Sequence, residues 1–407
     1  MSKLRILAIP PDKHGVGKFR IMDPYTFIGE NYSDEVHVDI TYNAENNDEY
    51  FLNYDIVVFH TFIHQTNHDD NINRINWLKS KGIITIMDID DLWFVDQRHP
   101  AYHAIKANKV GEMKINMLKS VDYVTTTTPI FAKTIKDSLK VKNVEIFPNA
   151  VNDKEPQYEI NPTKSDKVRF GWLGGSSHLS DIELMTNGIS STYNAFKDKV
   201  QFVLCGFDLR GTVTEIDPTT KQQRQRPIQP METVWYRYEK IFTDNYKTLD
   251  NNYVAFLNTF ADIPYPDEDK PYRRRWTKEI STYASNYNYF DVSLAPLVES
   301  KFNANKSQLK VIEAGFHKKA IIASETDPYT LDLISAVDEG KFNDKGNALL
   351  VNTKKNHKDW AKHMKRLVEN PNMIEDLGNR LYETVKDKYS LKKTCQDRVE
   401  FFKSIIK

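Results

Sequence analysis

Cysteine is nearly absent from this chain of 407 residues: Cys205 and Cys395 stand far apart, without C-x-x-C spacing. That excludes a disulfide framework and a zinc ribbon, and it points to a reducing compartment. No apolar run reaches the 18 or so residues that span a bilayer, and MSKLRILAIPP enters a strand-like stretch without a signal-peptide core. A cytoplasmic location is expected. Glycine (15) and proline (17) are few, which excludes collagen-like and low-complexity classes. Nor does one sign of charge prevail, since 56 Lys+Arg meet 56 Asp+Glu. Residues 1–150 hold 17 basic and 20 acidic side chains, leaving 39 and 36 for the rest, so neither half is a basic nucleic-acid coat.

What is present, 40% hydrophobic and 12% aromatic residues, suits a globular chain whose length favours two packed units. Short apolar runs recur at 4–9, 37–42, 55–60, 82–89, 121–127 and 144–148, separated by amphipathic stretches. This rhythm predicts parallel strands with helical crossovers. Between about Asp70 and Lys81, Ile72, Ile75, Trp77 and Leu78 predict a helix that Gly82 caps. A polar stretch at 151–167 reads as a linker, and the rhythm restarts at 168, 200–207, 291–297, 319–324 and 348–351. It is interrupted by a polar insertion at about 208–285, expected as a mobile loop in its early part and helical from Met231 onward. Residues past 354 read as helices, the last over 392–407.

The sharpest local signal is a strand ending in Gly174-Gly175-Ser176-Ser177-His178 before an amphipathic helix. Such a turn offers free amides and a helix dipole to phosphate; its plainer reading is a serine-capped strand-helix turn. The loop HGVGKFR carries Gly15, Gly17 and Arg20, yet Asp12 and Phe19 break a P-loop frame and Arg20 breaks a dinucleotide fingerprint. A flexible loop with Arg20 available to an anionic or polyhydroxyl ligand is what survives. Farther on, Lys306 beside a cap at Asn305 or Ser307 suits a diphosphate, and Glu313 two turns later suits ribose or sugar hydroxyls.

Asp88, Asp90 and Asp91 close a buried-looking strand, at the end where open α/β sheets bind ligands. His60, His64 and His68 recur every four residues, but lack the partners of a metal site; His60 alone ends a strand and could line a cleft. Basic clusters stand at Lys221, Arg224 and Arg226 and at Arg273-Arg274-Arg275 beside Trp276.

Jointly the Arg20 glycine loop, DIDDLW at 88–93, TTTTP at 125–129, FPNAV at 147–151, GWLGGSSH at 171–178 and FNANKSQLKVIEAG at 302–315 resemble retaining GT-B glycosyltransferases of the family 4 type. The resemblance implies an α/β chain of two Rossmann-like domains facing a cleft: 1–150 for the acceptor, and 168–385 for a nucleotide-sugar. Residues 386–407 would return as a helix to the first domain.

It also implies roles. Glu313 looks like the second glutamate of the E-x7-E motif and would hold the ribose, while Asn305 stands where the first glutamate is usual. The arginine and lysine that usually grip the diphosphate are absent from the glycine loop, so Lys306 is the expected substitute. The expected donor-binding set is Gly15, Gly17, Arg20, Gly174, Gly175, Ser176, Ser177, His178, Gly206, Phe207, Asn305, Lys306, Ser307 and Glu313. Asp90, Asp91 and His60 are the expected catalytic-site residues, and Arg273, Arg274, Arg275 and Trp276 the expected acceptor contacts. The implied reaction moves a sugar from a nucleoside-diphosphate sugar, UDP-linked by expectation, to a hydroxyl with retention and no obligatory metal or cofactor. A glycan, a lipid-linked glycan or a hydroxymethylated DNA base are the acceptors considered. A metal-dependent GT-A or nucleotidyl transferase using Asp88 and Asp90 is one rival reading, and a non-catalytic sugar-nucleotide binding module another.

Overall fold

The computed structural model describes residues 3–406 except 43, 45–46, 65–67, 217–218, 220–221, 245–248, 339 and 354–357. Lys221 of the first basic cluster lies outside the described residues, as does the side chain of His68.

The front lobe contributes strands β1 (Leu4–Ile9), β2 (Val36–Ile40), β3 (Ile56–His60), β4 (Ile84–Ile89), β5 (Tyr123–Thr126) and β6 (Val144–Ile146). They form one parallel sheet in the order β2-β1-β3-β4-β5-β6. Both faces are covered, which is why the strands read as unbroken apolar runs. Successive side chains alternate between the two faces. Leu7, Val57, Phe59 and Met87 enter one core, whereas Ile6, Ile56, Val58 and Ile86 enter the other. Between β3 and β4, the helix His68–Ser80 buries Ile75 and Leu78. Its chain then turns at Gly82, whose φ of +79° favours glycine.

In the rear lobe come β7 (Val168–Leu173), β8 (Val200–Phe207), the hairpin β9 (Thr212–Ile216) and β10 (Gln223–Pro227), then β11 (Tyr272–Trp276), β12 (Val292–Ala295) and β13 (Ala320–Ser324). A short hairpin of β14 (Val337–Asp338) and β15 (Lys341–Phe342) precedes β16 (Leu349–Val351). The second sheet is also parallel, in the order β11-β8-β7-β12-β13-β16. All eight residues of β8 are buried, as expected of a central strand.

The insertion corrects two expectations. Its early part is an antiparallel hairpin, β9–β10, rather than a structureless loop. Its arginine run is β11, which closes one edge of the sheet against β8. Alternation sends Arg274 to one face, where its guanidinium binds Glu239 at 2.8 and 2.6 Å. Arg273 and Arg275 both meet Asp267 at 2.9 Å. Glu239 belongs to the helix Val234–Thr243 and also accepts from the Tyr272 hydroxyl at 2.8 Å. All three guanidiniums are tied to carboxylates of their own lobe; Arg273 and Arg274 are buried, while Arg275, partly exposed, lines a pocket of about 490 Å³ with Arg274 and Trp276.

The lobes are joined twice, side by side. Val151 leaving the front lobe bridges Ser390 returning to it, with Val151 N–H donating to Tyr389 O at 2.9 Å and Leu391 N–H donating to Val151 O at 2.8 Å. The last helix, Leu391–Ile405, starts from a Ser390 cap and places Leu391, Cys395, Val399 and Phe402 against Ile6, Tyr25 and Ile28 of the front lobe. Both cysteines are buried and free. Among the described residues, no helix is long and apolar enough to cross a membrane.

Candidate active site

The carboxyl ends of β3, β4 and β5 point toward the rear lobe and gather polar side chains. His60 is buried, its Nε2 donating to Asp90 Oδ1 at 3.0 Å and its Nδ1 lying 3.1 Å from Thr61 Oγ1. Thr61 holds φ at +69°, an outlier for a β-branched residue and of the kind that clusters at functional sites. Burial pushes the Asp90 carboxyl up, but the hydrogen bond and charge of His60, with Arg20 nearby, outweigh it and hold Asp90 at about 2. Asp91 is shifted the other way, raised by burial and by the adjacent Asp90.

Arg20 lies behind this group, where the helical segment 15–31 passes through a π turn at Lys18–Met22. Only 1% exposed, it forks onto Asp88 at 2.9 and 2.7 Å and reaches Phe147 O at 2.6 Å and Asn149 Oδ1 at 3.1 Å. This corrects its expected availability: it organises the strand ends from within and has no face for a ligand. Asp88 also accepts from Thr125 Oγ1 at 2.6 Å, so its oxygens are occupied. Gly17 belongs to the same turn, since a Cβ there would lie 2.0 Å from Asp12 O, whereas Gly15 faces Ile280 of the rear lobe at 3.9 Å.

Opposite lies a pocket of about 220 Å³ in the rear lobe, where the end of β7 meets the helix Leu309–Phe316. Gly174, Gly175, His178, Lys306, Ser307 and Glu313 line it, together with Lys310, Tyr283 and Tyr329. Six residues from two separate sequence segments, 174–178 and 306–313, thus share one hollow. Gly174 is required by close approach: a Cβ there would sit 2.6 Å from the Trp172 ring and 2.7 Å from Lys310 Nζ. Gly206, at φ +94°, lies beneath it, where a Cβ would meet Gly174 O at 2.8 Å.

Lys310 is the residue that sequence reasoning missed. Its Nζ donates to Leu173 O and sits 4.8 Å above the Trp172 ring. Burial lowers its pKa to about 8 despite the opposing charges of Glu313 and Asp181. Burial also raises Glu313 to about 7, against the pull of Lys310 and a 3.4 Å contact from the Tyr287 hydroxyl. A signal existed, because positions 306, 310 and 313 are spaced by four and three residues, the spacing that would put them along one helical stripe. Lys306 forms no ion pair among the described residues; its Nζ sits 4.8 Å over Phe302. Phe302 itself packs into the front-lobe core. Lys306 also lines a narrower pocket with Asp96, Arg98 and His99 of the front lobe and Ser177 and Ser180 of the rear.

Several expected donor contacts fall elsewhere. The helix after the glycine turn is a single turn, Leu179–Glu183, too short for a strong dipole, and Ser176 and Ser177 are exposed outside the rear pocket. Asn305 is 2% exposed and donates to Lys301 O at 2.6 Å, while Gln308, not Asn305 or Ser307, precedes the helix. Phe207 is wholly buried, edge-on to Trp276 at 5.1 Å. Its apolar ring completes a core where a ligand contact was expected. Trp276, half-buried, belongs to that same packing. His64 is removed from both groups: its N–H and C=O are tied to Asn71. Among the described residues, no group of three or more His, Cys, Asp and Glu side chains is placed to hold a metal ion.

No protein-family model matches the sequence, and no curated protein matches it. Solved structures do. HepE from Anabaena, in complex with UDP-glucose, is similar over 99% of this chain and 100% of its own, with a TM-score of 0.59 at 8% identity. An α-glucosyltransferase in complex with UDP and a 13-mer DNA containing a HMU base matches over 98% and 99%, with a TM-score of 0.58 at 10% identity. A UDP-forming α,α-trehalose-phosphate synthase from Burkholderia vietnamiensis matches over 86% and 71%, with a TM-score of 0.51 at 12% identity. At such identities the likeness defines the fold: this chain has the GT-B architecture, two Rossmann-like domains and a final helix that returns to the first.

Proposed function

We propose that the chain is a glycosyltransferase that takes its sugar from a UDP-sugar. The observation that carries this reading is the convergence of Gly174, His178, Lys306, Ser307, Lys310 and Glu313 in one rear pocket. Two ammonium groups supply the charge that a diphosphate needs, Lys306, which has no ion pair among the described residues, and Lys310, held at the glycine turn. Glu313 is an acceptor suited to ribose hydroxyls. Asp90, oriented by His60, is the front-lobe group suited to an acceptor hydroxyl, and Lys306 lies close enough for its charge to act on Asp91. Bound UDP or UDP-glucose in structures of the same fold supports the choice of nucleotide.

We extend the proposal to transfer with retention and without an obligatory metal. The leaving diphosphate would be stabilised by fixed cations and amides. A metal-dependent use of Asp88 and Asp90 is disfavoured, because Asp88 is consumed by Arg20 and Thr125. The acceptor is read as a glycan hydroxyl. Transfer to a hydroxymethylated base is the second reading, favoured by the DNA-bound structure of the same fold. Against it, the arginine run is paired with Glu239 and Asp267 of its own lobe.

Thermal-shift screening of UDP-, GDP-, ADP- and CDP-glucose, then mass spectrometry of glycan and hydroxymethylated-DNA acceptors, tests the reading. Stabilisation by UDP-sugars with transfer to one acceptor class is expected. No response to any nucleotide would overturn it, and donor binding without turnover would leave a binding module.

A further inference from the structure

His178 differs from the other charged or polar groups around the rear pocket in what it can offer. Its Nδ1 lies 2.7 Å from Asp181 Oδ2, and the second oxygen of Asp181 accepts from Val298 N–H at 2.7 Å. Asp181 is 5% exposed, so the carboxylate is fixed. A carboxylate only accepts, so Nδ1 carries the proton, and in the neutral ring Nε2 keeps its lone pair. Burial, aided by the charges of Lys310 and Lys306 and opposed by the hydrogen bond to Asp181, lowers the His178 pKa to about 4, which keeps the ring neutral near pH 7.

The ring is also held in place. His178 N–H donates to the Tyr238 hydroxyl at 2.8 Å, that hydroxyl donates to Gly175 O at 3.2 Å, and the ring stands edge-on to Trp172 at 5.9 Å. Among the described residues Nε2 has no partner. A lone pair repels phosphate oxygens, and the diphosphate's needs are met by Lys306 and Lys310. What it suits is a hydroxyl bound beside the diphosphate.

We propose that Nε2 of His178 accepts a hydrogen bond from one hydroxyl of the donor sugar, which makes His178 a specificity-determining residue and Asp181 the group that sets its tautomer. This rests on the UDP-sugar reading above. A polar group built to receive a hydroxyl discriminates strongly against an analogue lacking it, because its lone pair is left unpaired in a dry site.

The test is calorimetric binding of UDP, UDP-glucose and the four monodeoxy analogues of UDP-glucose to wild type, His178→Ala and Asp181→Asn. Asparagine keeps the bond to Val298 but donates to Nδ1, so it moves the ring proton to Nε2 while sparing the packing. Wild type should bind one deoxy analogue about tenfold more weakly than the parent, and His178→Ala should bring that ratio near one with a larger loss for UDP-glucose than for UDP; Asp181→Asn, whose Nε2–H can donate to the same hydroxyl, should keep part of the ratio. A wild type that discriminates no analogue, a His178→Ala variant that keeps the ratio, or one that loses UDP and UDP-glucose affinity equally would overturn the role of His178. A wild type that does not bind UDP would instead overturn the UDP-sugar reading itself, and this inference with it.

Discussion

The Asn149 side-chain amide donates to Ser307 Oγ at 2.9 Å, tying the last loop of the front lobe to the wall of the rear pocket. Arg20 fixes which end of that amide does so, because its Nη1 donates to Asn149 Oδ1 at 3.1 Å. The amide nitrogen must then face Ser307, and the Ser307 hydroxyl proton is left free for a ligand. Asn149→Ala and Ser307→Ala should each weaken UDP binding by about 0.5–1.5 kcal/mol, and the double variant by less than the sum. Additive losses in calorimetry would show the two residues acting separately.

Lys310 sets a pH limit on donor binding. With its pKa lowered to about 8 by burial, the free pocket loses an ammonium as pH rises through that value. Bound diphosphate favours the charged form, so UDP binding should take up protons and weaken on the alkaline side of about 8. Lys310→Arg should flatten this decline, since guanidinium stays charged. Equal wild-type affinity at neutral and alkaline pH would count against Lys310 as a diphosphate contact.

Glu313 predicts a stability trend. Burial raises its pKa from 4.5 to about 7, so between these values the folded chain holds a proton that the unfolded chain has lost. Its contribution is therefore fully present below 4.5 and declines as pH rises through about 7. Glu313→Gln cannot ionise, and its melting temperature relative to wild type should climb across that window. A constant difference would mean that the carboxyl titrates normally.

The Arg274–Glu239 pair should matter for folding. Removing one partner of a buried ion pair costs about 3–5 kcal/mol, so Arg274→Ala should lower the urea midpoint sharply. Restoration of much of that loss by an apolar pair, Arg274→Met with Glu239→Leu, would mark the role as structural. Wild-type stability in Arg274→Ala with lost acceptor binding would return the arginines to the surface role read from their run.

Transfer should survive a chelator. EDTA at excess should leave the rate of sugar transfer unchanged, with Lys306 and Lys310 carrying the leaving-group charge; Lys306→Ala should cost more than about 1.5 kcal/mol of UDP affinity. Loss of activity with EDTA and its return with a divalent ion would overturn the metal-free reading.

The alternation of sheet and crossover was legible because parallel strands covered on both faces must be apolar throughout, as in LRILAI and VQFVLCGF. The glycine turn, Lys306, Ser307 and Glu313 were legible as separate fragments, each carrying its own local chemistry. Their union in one hollow depends on the order of β7, β12 and β13 in the rear sheet and on the placement of the helix Leu309–Phe316. Basic residues were not placed by the sequence because a guanidinium has the same local signature whether it faces water or a buried carboxylate. Arg20 found Asp88, 68 positions away, and Arg274 found Glu239, 35 positions away. Lys310 was overlooked for the converse reason, since only the fold brings it against Leu173 O and Trp172.

Local pattern thus decided where strands and helices run, because burial period and turn chemistry act within a few residues. Tertiary packing decided which charges are spent on the interior and which are left for a ligand. The cost of burying a charge depends on the partner found for it, and that partner is set by chain topology rather than by sequence neighbours.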